Sequence, residues 1–481
     1  MRLMRGVYEG PGSHGILRVA ASMTNVHAVL RALPHEGYFH ALYGAWSRGG
    51  EAPPVTLSPV WGDKLKQENS MAPGDLSRDL SQVVRRHPGT ESVILARSEA
   101  ALLSGEEIPT AALPESPETG LTPGLVACDW ESPIVREVEA ADLALEDLVR
   151  AHAKGRERSP DPTVNIFGPP IFSPNAAAEY DEAERLLDLI GVRINARVPL
   201  DAGVRDLARL PRAWANLVLY RETCESATMY LQDEFGTQRV TPPMIGSAGT
   251  GAALRAVGEL CRLDPQRVQR VIWGELSHTS RLPWYARVAT PETFEGHRVA
   301  IFGDFTYTLG LGYALAREVG LEVAPCGTYL THLERDFLFH AHTFTEDAFV
   351  TDDPDEVADR LEQSRPVLII GTHLERETAE TLNIPFLPLC PPVVTHSFVQ
   401  RPLMGYAGSS VLADALEGVL RRTDEKPEVL ATSLPWSDEA LDELEEIPAF
   451  LRGRARRMAE ERARKLDATE VTAEILAEAR H

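Results

Sequence analysis

The sequence predicts an α/β protein built as three successive blocks with parallel sheets, followed by a small helical module. Three observations lead there. Short apolar runs alternate with helical patterns in three separate stretches, which is the signature of βαβ units. The chain has 481 residues, 43 % of them hydrophobic, enough for about three domains of roughly 150 residues. Two polar, proline-containing stretches, Lys154–Pro162 and Arg421–Ser433, read as linkers. The expected divisions are 1–155, 163–290, 296–425 and 434–481.

The chain opens on a glycine-proline loop, Glu9-Gly10-Pro11-Gly12, and an apolar-periodic segment through Ile16, Val19, Ala20, Met23, Val26 and Val29. A glycine loop that feeds a helix leaves backbone N–H groups pointing outward. A second turn, Leu33 to Gly37, carries one carboxylate, Glu36. The rest of the first block has apolar runs at Pro54–Val60, Ser92–Ala96 and Leu125–Cys128. Helical patterns lie at Leu76–Arg86 and Arg136–Ala153.

The second block begins with a strand from Val164 to a Gly168-Pro169 turn. A helix at about Ala176–Ile190 follows, with Gly191 as its C-cap. Strands are expected at Val192–Val198, Ala215–Tyr220 and Pro242–Gly246, and helices from near Thr223 and at Ala252–Cys261. Tyr220-Arg221-Glu222-Thr223 falls at a strand's carboxyl end, where open α/β sheets bind ligands. The third block has strands at Arg298–Gly303, Leu321–Ala324, Phe349–Thr351, Val367–Ile370 and Phe386–Leu389. Its helices are Thr306–Val319, closed by Gly320, Asp355–Gln363 and Ser409–Leu420. Neither a GxGxxG fingerprint nor a GxxxxGK[ST] loop occurs, so neither standard dinucleotide nor nucleoside-triphosphate binding is expected of this chain.

In the C-terminal module Ser437 is the expected N-cap of an acidic helix. The next helical pattern, about Ala449–Lys465, carries Arg452, Arg454, Arg456, Arg457, Arg462, Arg464 and Lys465. Neighbouring Glu460 and Glu461 balance part of that charge, which favours a solvated face or a partner surface over nucleic acid.

Lys+Arg total 48 and Asp+Glu 71, a net charge of −23. Duplex-binding proteins carry the opposite sign. The first residues lack the apolar core of a signal peptide, and no run reaches the roughly 18 apolar residues of a membrane helix. A cytoplasmic location is expected. The five cysteines, Cys128, Cys224, Cys261, Cys326 and Cys390, are scattered and odd in number. They predict neither a disulfide framework nor a four-thiolate metal site, and each reads as a small buried hydrophobe.

Specific residues then add a family. Trp436, Glu439, Leu441, Leu444 and the run Ile447 to Arg457, IPAFLRGRARR, resemble the C-terminal module of the B subunits of light-independent (dark-operative) protochlorophyllide reductase, where it reads IPFFVRGKARR. Tyr8, Gly10-Pro11, Gly15, Arg18, Ala20, Asn25-Val26-His27-Ala28 and Tyr38-Phe39 match the same family's beginning. Tyr220, Glu222-Thr223, Glu225-Ser226-Ala227, Gly371-Thr372, Glu375-Arg376, Ile384-Pro385 and Met404-Gly405 match between. Chlorophyllide reductase and other nitrogenase-like components share the resemblance more weakly, although Met404-Gly405-Tyr406-Ala407-Gly408 is slightly closer to chlorophyllide reductase.

The resemblance implies three Rossmann-like domains around a central cleft (the nitrogenase component 1 fold). It implies a heterotetramer with two related N-type subunits. A [4Fe-4S] cluster, shared with that partner, would take three thiolates from it and one carboxylate from this chain. A separate ATP-hydrolysing L-type iron-sulfur protein, fed by ferredoxin, would supply electrons. The substrate implied is protochlorophyllide, reduced at the C17–C18 double bond of ring D to chlorophyllide a. Residue by residue, the family's ligating Asp falls on Glu36, one methylene longer. A family Cys near the cluster, in SSCTAEL, falls on Glu99. The proton-donating Asp, in SVDS, falls on Thr290. A cleft histidine falls on Val394, with His396 as the substitute if the loop shifts. The alternatives are a nitrogenase-like reductase of another tetrapyrrole, such as chlorophyllide, or a non-catalytic scaffold.

Overall fold

Val26–Ala32, VHAVLRA, is buried at every position. A strand covered on both faces needs such a run, and this one is a central strand of a parallel sheet. The apolar periodicity that predicts one segment from Ile16 to Val29 is therefore split. The helix covers Gly12–Ser22 only, and the chain then turns through Asn25, at φ 61°, a left-handed conformation that Asn tolerates better than most residues.

The computed structural model describes residues 6–33, 55–60, 76–108, 112–130, 135–155, 157–171, 173, 175–279, 296–393, 401–420 and 434–446, and 455–478 without 457, 461, 464 and 467. These form three parallel sheets. The first joins β1 (Val26–Ala32), β2 (Val55–Pro59), β3 (Ser92–Arg97) and β4 (Gly124–Ala127) in the order β2-β1-β3-β4. The second joins β5 (Thr163–Phe167), β6 (Arg193–Val198), β7 (Ala215–Val218) and β8 (Gln238–Val240) as β6-β5-β7-β8. The third joins β9 (Arg298–Gly303), β10 (Glu322–Thr328), β11 (Ala348–Val350), β12 (Leu368–Ile370) and β13 (Phe386–Leu387) as β11-β10-β9-β12-β13. The strand expected at Pro242–Gly246 lies earlier, at Gln238–Val240, and Gly246 instead starts the helix Gly246–Leu260. The Pro242-Pro243 pair cannot donate to a ladder.

Two compact units result. One comprises Glu9–Thr241 with Ala256–Asp264, and the other Met1–Tyr8, Pro242–Arg255 and Pro265–His481. In the first, the helix Glu137–His152 lies in a core shared by two sheets. Ala28, Leu30, Ile94 and Val126 come from one sheet, and Phe167, Ala196, Val198 and Val218 from the other. Leu145, Leu148 and Val149 of the helix fill the space between. The opposite face of the first sheet, through Val29, Val93 and Leu95, packs on Leu76, Leu80, Val83 and Val84.

Carboxylates distant in sequence cap two helices of this unit. Glu9 Oε2 accepts from Val138 N at 3.0 Å, at the start of Glu137–His152. Asp142 accepts from Ser226 N at 3.1 Å and Oγ at 2.5 Å, at the start of Glu225–Phe235. Burial is the main force on both acids and outweighs those donors, pushing Glu9 up from 4.5 to about 7 and Asp142 from 3.8 to about 7. The folded protein therefore binds these protons more tightly than the unfolded chain does. The resulting stabilisation is present in full below about pH 4 and is lost as pH rises through about 7. The slope of melting temperature between pH 5 and 8 should be negative from these groups. It should flatten in Glu9→Gln and Asp142→Asn. An unchanged slope in both variants would show that these carboxyls titrate elsewhere.

The C-terminal module has its own core of Leu444, Ala459, Ala463, Val471 and Leu476. Ser437 Oγ caps the helix Asp438–Glu446 through Ala440 N at 3.2 Å, as expected. Arg462 pairs with Glu478 at 3.0 Å, and Arg456 lies over Trp436 at 5.5 Å, so these two basic side chains are used within the module. Among the described residues no helix is long and apolar enough to cross a membrane. All five cysteines are buried and unpaired.

Candidate functional site

The carboxyl edge of the first sheet gathers charge because parallel neighbours end together. Arg31 of β1 is in register with Arg97 of β3. Arg31, 6 % exposed, pairs with Glu106 and donates from Nη1 to Ser58 Oγ at 3.2 Å. Ser58 in turn donates to Asp79 at 2.7 Å. Arg97 pairs with Asp129 and donates to the Glu106 carbonyl at 2.5 Å. Two arginines thus hold one loop residue by its side chain and its backbone. A buried guanidinium requires such pairing.

Beside them is a recess lined in part by Gly12, Ser13, Arg97, Glu99, Cys128 and Trp130. Glu99 opens the short helix Glu99–Leu103, whose N-cap Ser98 accepts from Ala101 N. Its carboxylate points to another helix. Oε1 accepts from Ser13 N at 2.8 Å and Oε2 from Ser13 Oγ at 2.9 Å. One N–H of the glycine loop is likewise taken up within the chain: Gly10 N donates to Glu137 Oε2 at 2.8 Å. Gly15 supplies the close approach behind the loop. A Cβ there would strike the Glu137 carbonyl and lie 2.7 Å from Ala141 N.

Of the residues singled out from sequence, Glu99 is placed here. Glu36, Thr290 and His396 lie outside the described residues, as does Val394. Burial pushes the Cys128 thiol well above its usual value, with Asp147 adding to the shift, so it is not a ready thiolate. Among the described residues no group of three or more His, Cys, Asp or Glu could hold a metal ion. Among the described residues, the donors at this edge do not make a cluster site by themselves.

Comparison with known proteins places this arrangement in a family. The family model described as nitrogenase component 1 type oxidoreductase matches residues 39–421. The B subunit of light-independent protochlorophyllide reductase from Chlorobium limicola is 30 % identical over 540 residues, covering 100 % of this chain and 99 % of the relative. The chain belongs to the nitrogenase component 1 type oxidoreductases, among the B subunits of light-independent protochlorophyllide reductase. The family model described as proto-chlorophyllide reductase 57 kD subunit matches residues 436–480, the C-terminal module. The B subunit of Leptolyngbya boryana is 29 % identical over 509 residues, 99 % of this chain and 98 % of that one. That of Chloroflexus aurantiacus (strain ATCC 29364 / DSM 637 / Y-400-fl) is 32 % identical over 425 residues, 86 % and 76 %. A solved structure described as nitrogenase Cp1 at pH 6.5 superposes with TM-score 0.69 over 89 % of this chain and 96 % of that one, at 14 % identity, and so shares the fold.

Several residues singled out from the sequence meet in the other unit, at the carboxyl edge of the third sheet. Tyr8 donates from its hydroxyl to Glu375 Oε1 at 2.7 Å. Glu375 Oε2 accepts from Thr372 N and Oγ1, both at 2.7 Å. The Tyr8 ring stacks on Tyr329 at 5.2 Å and leans on Phe302 at 5.1 Å. Burial raises the Glu375 carboxyl and, with Glu375 adding to it, the Tyr8 hydroxyl. Thr372-x-x-Glu375 has capping-box spacing, a signal that is local and readable in sequence. The match to Tyr8 across 367 positions is not. Arg221, expected at a ligand-binding strand end, pairs with Glu225 at 3.0 Å. Gly408 is needed by packing, since a Cβ there would lie 2.9 Å from Leu403 Cα.

Proposed function

We propose that this chain is the B-type subunit of a light-independent protochlorophyllide reductase, an oxidoreductase of chlorophyll or bacteriochlorophyll synthesis. The observation that carries this is the joint presence, in one chain, of the nitrogenase component 1 match and the C-terminal protochlorophyllide reductase module, with B-type relatives spanning the full length. In this reading the chain works in the cytoplasm with an N-type partner, in a complex of two copies of each. An ATP-hydrolysing L-type protein delivers electrons from ferredoxin. Glu36 is the one ligand given to a [4Fe-4S] cluster whose thiolates come from the partner, and the cluster supplies single electrons. Protochlorophyllide is reduced at C17–C18. Thr290 stands at the proton-donor position, and His396 is the available imidazole. A threonine hydroxyl is far too weak an acid to replace a carboxylic acid at neutral pH, so proton delivery is the step in which this chain departs from its family.

The test is anaerobic co-purification with an N-type partner, then reduction assays with protochlorophyllide and chlorophyllide supplied separately. Product absorption with protochlorophyllide is expected. Thr290→Asp should raise the rate, by about 10²-fold at the lower range of general-acid catalysis. Reduction of chlorophyllide alone, or of neither pigment, would overturn the reading.

A further inference from the structure

We propose that two copies of this chain dock on each other through the helix Pro265–Thr279, whose Trp273 enters a groove between the helices Glu137–His152 and Glu225–Phe235 of the second copy. Trp273 is 62 % exposed. Its helix is anchored through Val268 and Ile272, which are buried, so the core of its own unit does not need the indole. Gln266, Arg270, Trp273 and Ser277 follow one another at helical spacing and share one outward face, with Arg267 beside it. That face carries cations and an indole and no carboxylate. Trp and Arg are among the side chains that carry most of the binding energy at protein interfaces.

The groove has the matching chemistry. It measures about 370 Å³ and is lined in part by Glu146, Arg150, Met229, Tyr230, Asp233 and Glu234. A recess of this size takes an organic ring. Arg150 Nη2 donates to Glu146 Oε1 at 2.6 Å, and Arg150 Cζ lies 4.1 Å from the centre of the Tyr230 ring. One face of the guanidinium plane is thus laid on an aromatic ring, while 53 % of the Arg150 side chain is exposed. An indole on the outer face completes a three-layer stack. Met229, 45 % exposed, meets the ring edge through its sulfur. Arg150 balances Glu146, and the rim adds Asp233 and Glu234, opposite in sign to Arg267 and Arg270. One chain therefore carries both complementary halves. In a two-fold pair the contact is made twice, which makes a second copy the fitting occupant. The pairing needs only this chain and is separate from the reaction proposed above.

Sedimentation velocity on the purified full chain, over a range of concentrations, tests it. A concentration-dependent dimer is expected. Trp273→Ala and Arg150→Ala should each weaken dimerisation by about tenfold or more, as the loss of an interface hot spot does. Reversing the cations (Arg267→Glu with Arg270→Glu) or the acids (Asp233→Arg with Glu234→Arg) should weaken it too. The two reversals combined in one chain should recover most of the loss, because the opposed charges are exchanged. Melting temperatures should stay near that of the unaltered chain, since Trp273, Arg267, Arg270, Asp233 and Glu234 are exposed. If Trp273→Ala melts early, the charge exchange decides alone, because folding defects would add in the combined variant and not cancel. A chain that stays monomeric at every concentration overturns the proposal. So does a dimer that Trp273→Ala leaves unchanged, or a combined reversal no better than either half. A monomeric chain whose Trp273→Ala variant no longer co-purifies with an N-type partner would assign this face to that partner and overturn the pairing of copies.

Discussion

Glu375→Ala should destabilise the unit that contains it by about 3–5 kcal/mol, as expected when one partner of a buried polar network is removed. Glu375 is 2 % exposed and Tyr8 6 %. The substitution leaves the Tyr8 hydroxyl and both Thr372 donors without their acceptor, and a cavity beside them. Tyr8→Phe is the gentler control. It removes one bond and keeps the ring stacked on Tyr329, so a loss of about 1–2 kcal/mol is expected. Urea unfolding followed by tyrosine fluorescence checks both. Equal losses in the two variants would mean that Glu375 owes nothing to Thr372, contrary to the two 2.7 Å bonds.

Gly15→Ala should be nearly as damaging, although it adds one methyl group. The helices Gly12–Ser22 and Glu137–His152 meet backbone to backbone at Gly15. The clashing atoms, the Glu137 carbonyl and Ala141 N, belong to a helix and cannot rotate away as a side chain would. Overpacking costs about 1–3 kcal/mol when neighbours can give way, and more when they cannot. The helices would separate and carry off the bonds at the loop, including Arg18–Glu137 at 2.9 Å. A melting temperature within error of the unaltered chain would show that the helix shifts freely. Gly89, where an added Cβ meets nothing within 4 Å, is the control, and Gly89→Ala should have little effect.

Several elements are legible in the sequence because their signals are local. Leu76–Arg86 keeps its apolar residues on one face, and the structure puts a helix at those same bounds. Gly191 and Gly320 close their helices at φ 87° and 82°, as glycine at a C-cap should. The alternation of strand and helix is enough to give parallel sheets, because parallel neighbours require crossovers. β1 is not legible in the same way. A fully buried strand has no polar alternation, and VHAVLRA also fits a helical stripe.

The sequence by itself determined the fold class, the caps with local spacing and, through the C-terminal module, the family. It also singled out Glu99. Only the tertiary structure decided what Glu99 contacts, because its partner Ser13 is 86 positions away. The same holds for Tyr8 and Glu375, and for Gly10, Gly12 and Gly15, whose small size serves a helix met some 120 positions later in the chain. A carboxylate, a hydroxyl or a missing side chain states which contacts a residue can make. The folded backbone chooses among them, since hydrogen bonds and steric contact act over a few ångströms of space regardless of the length of chain between.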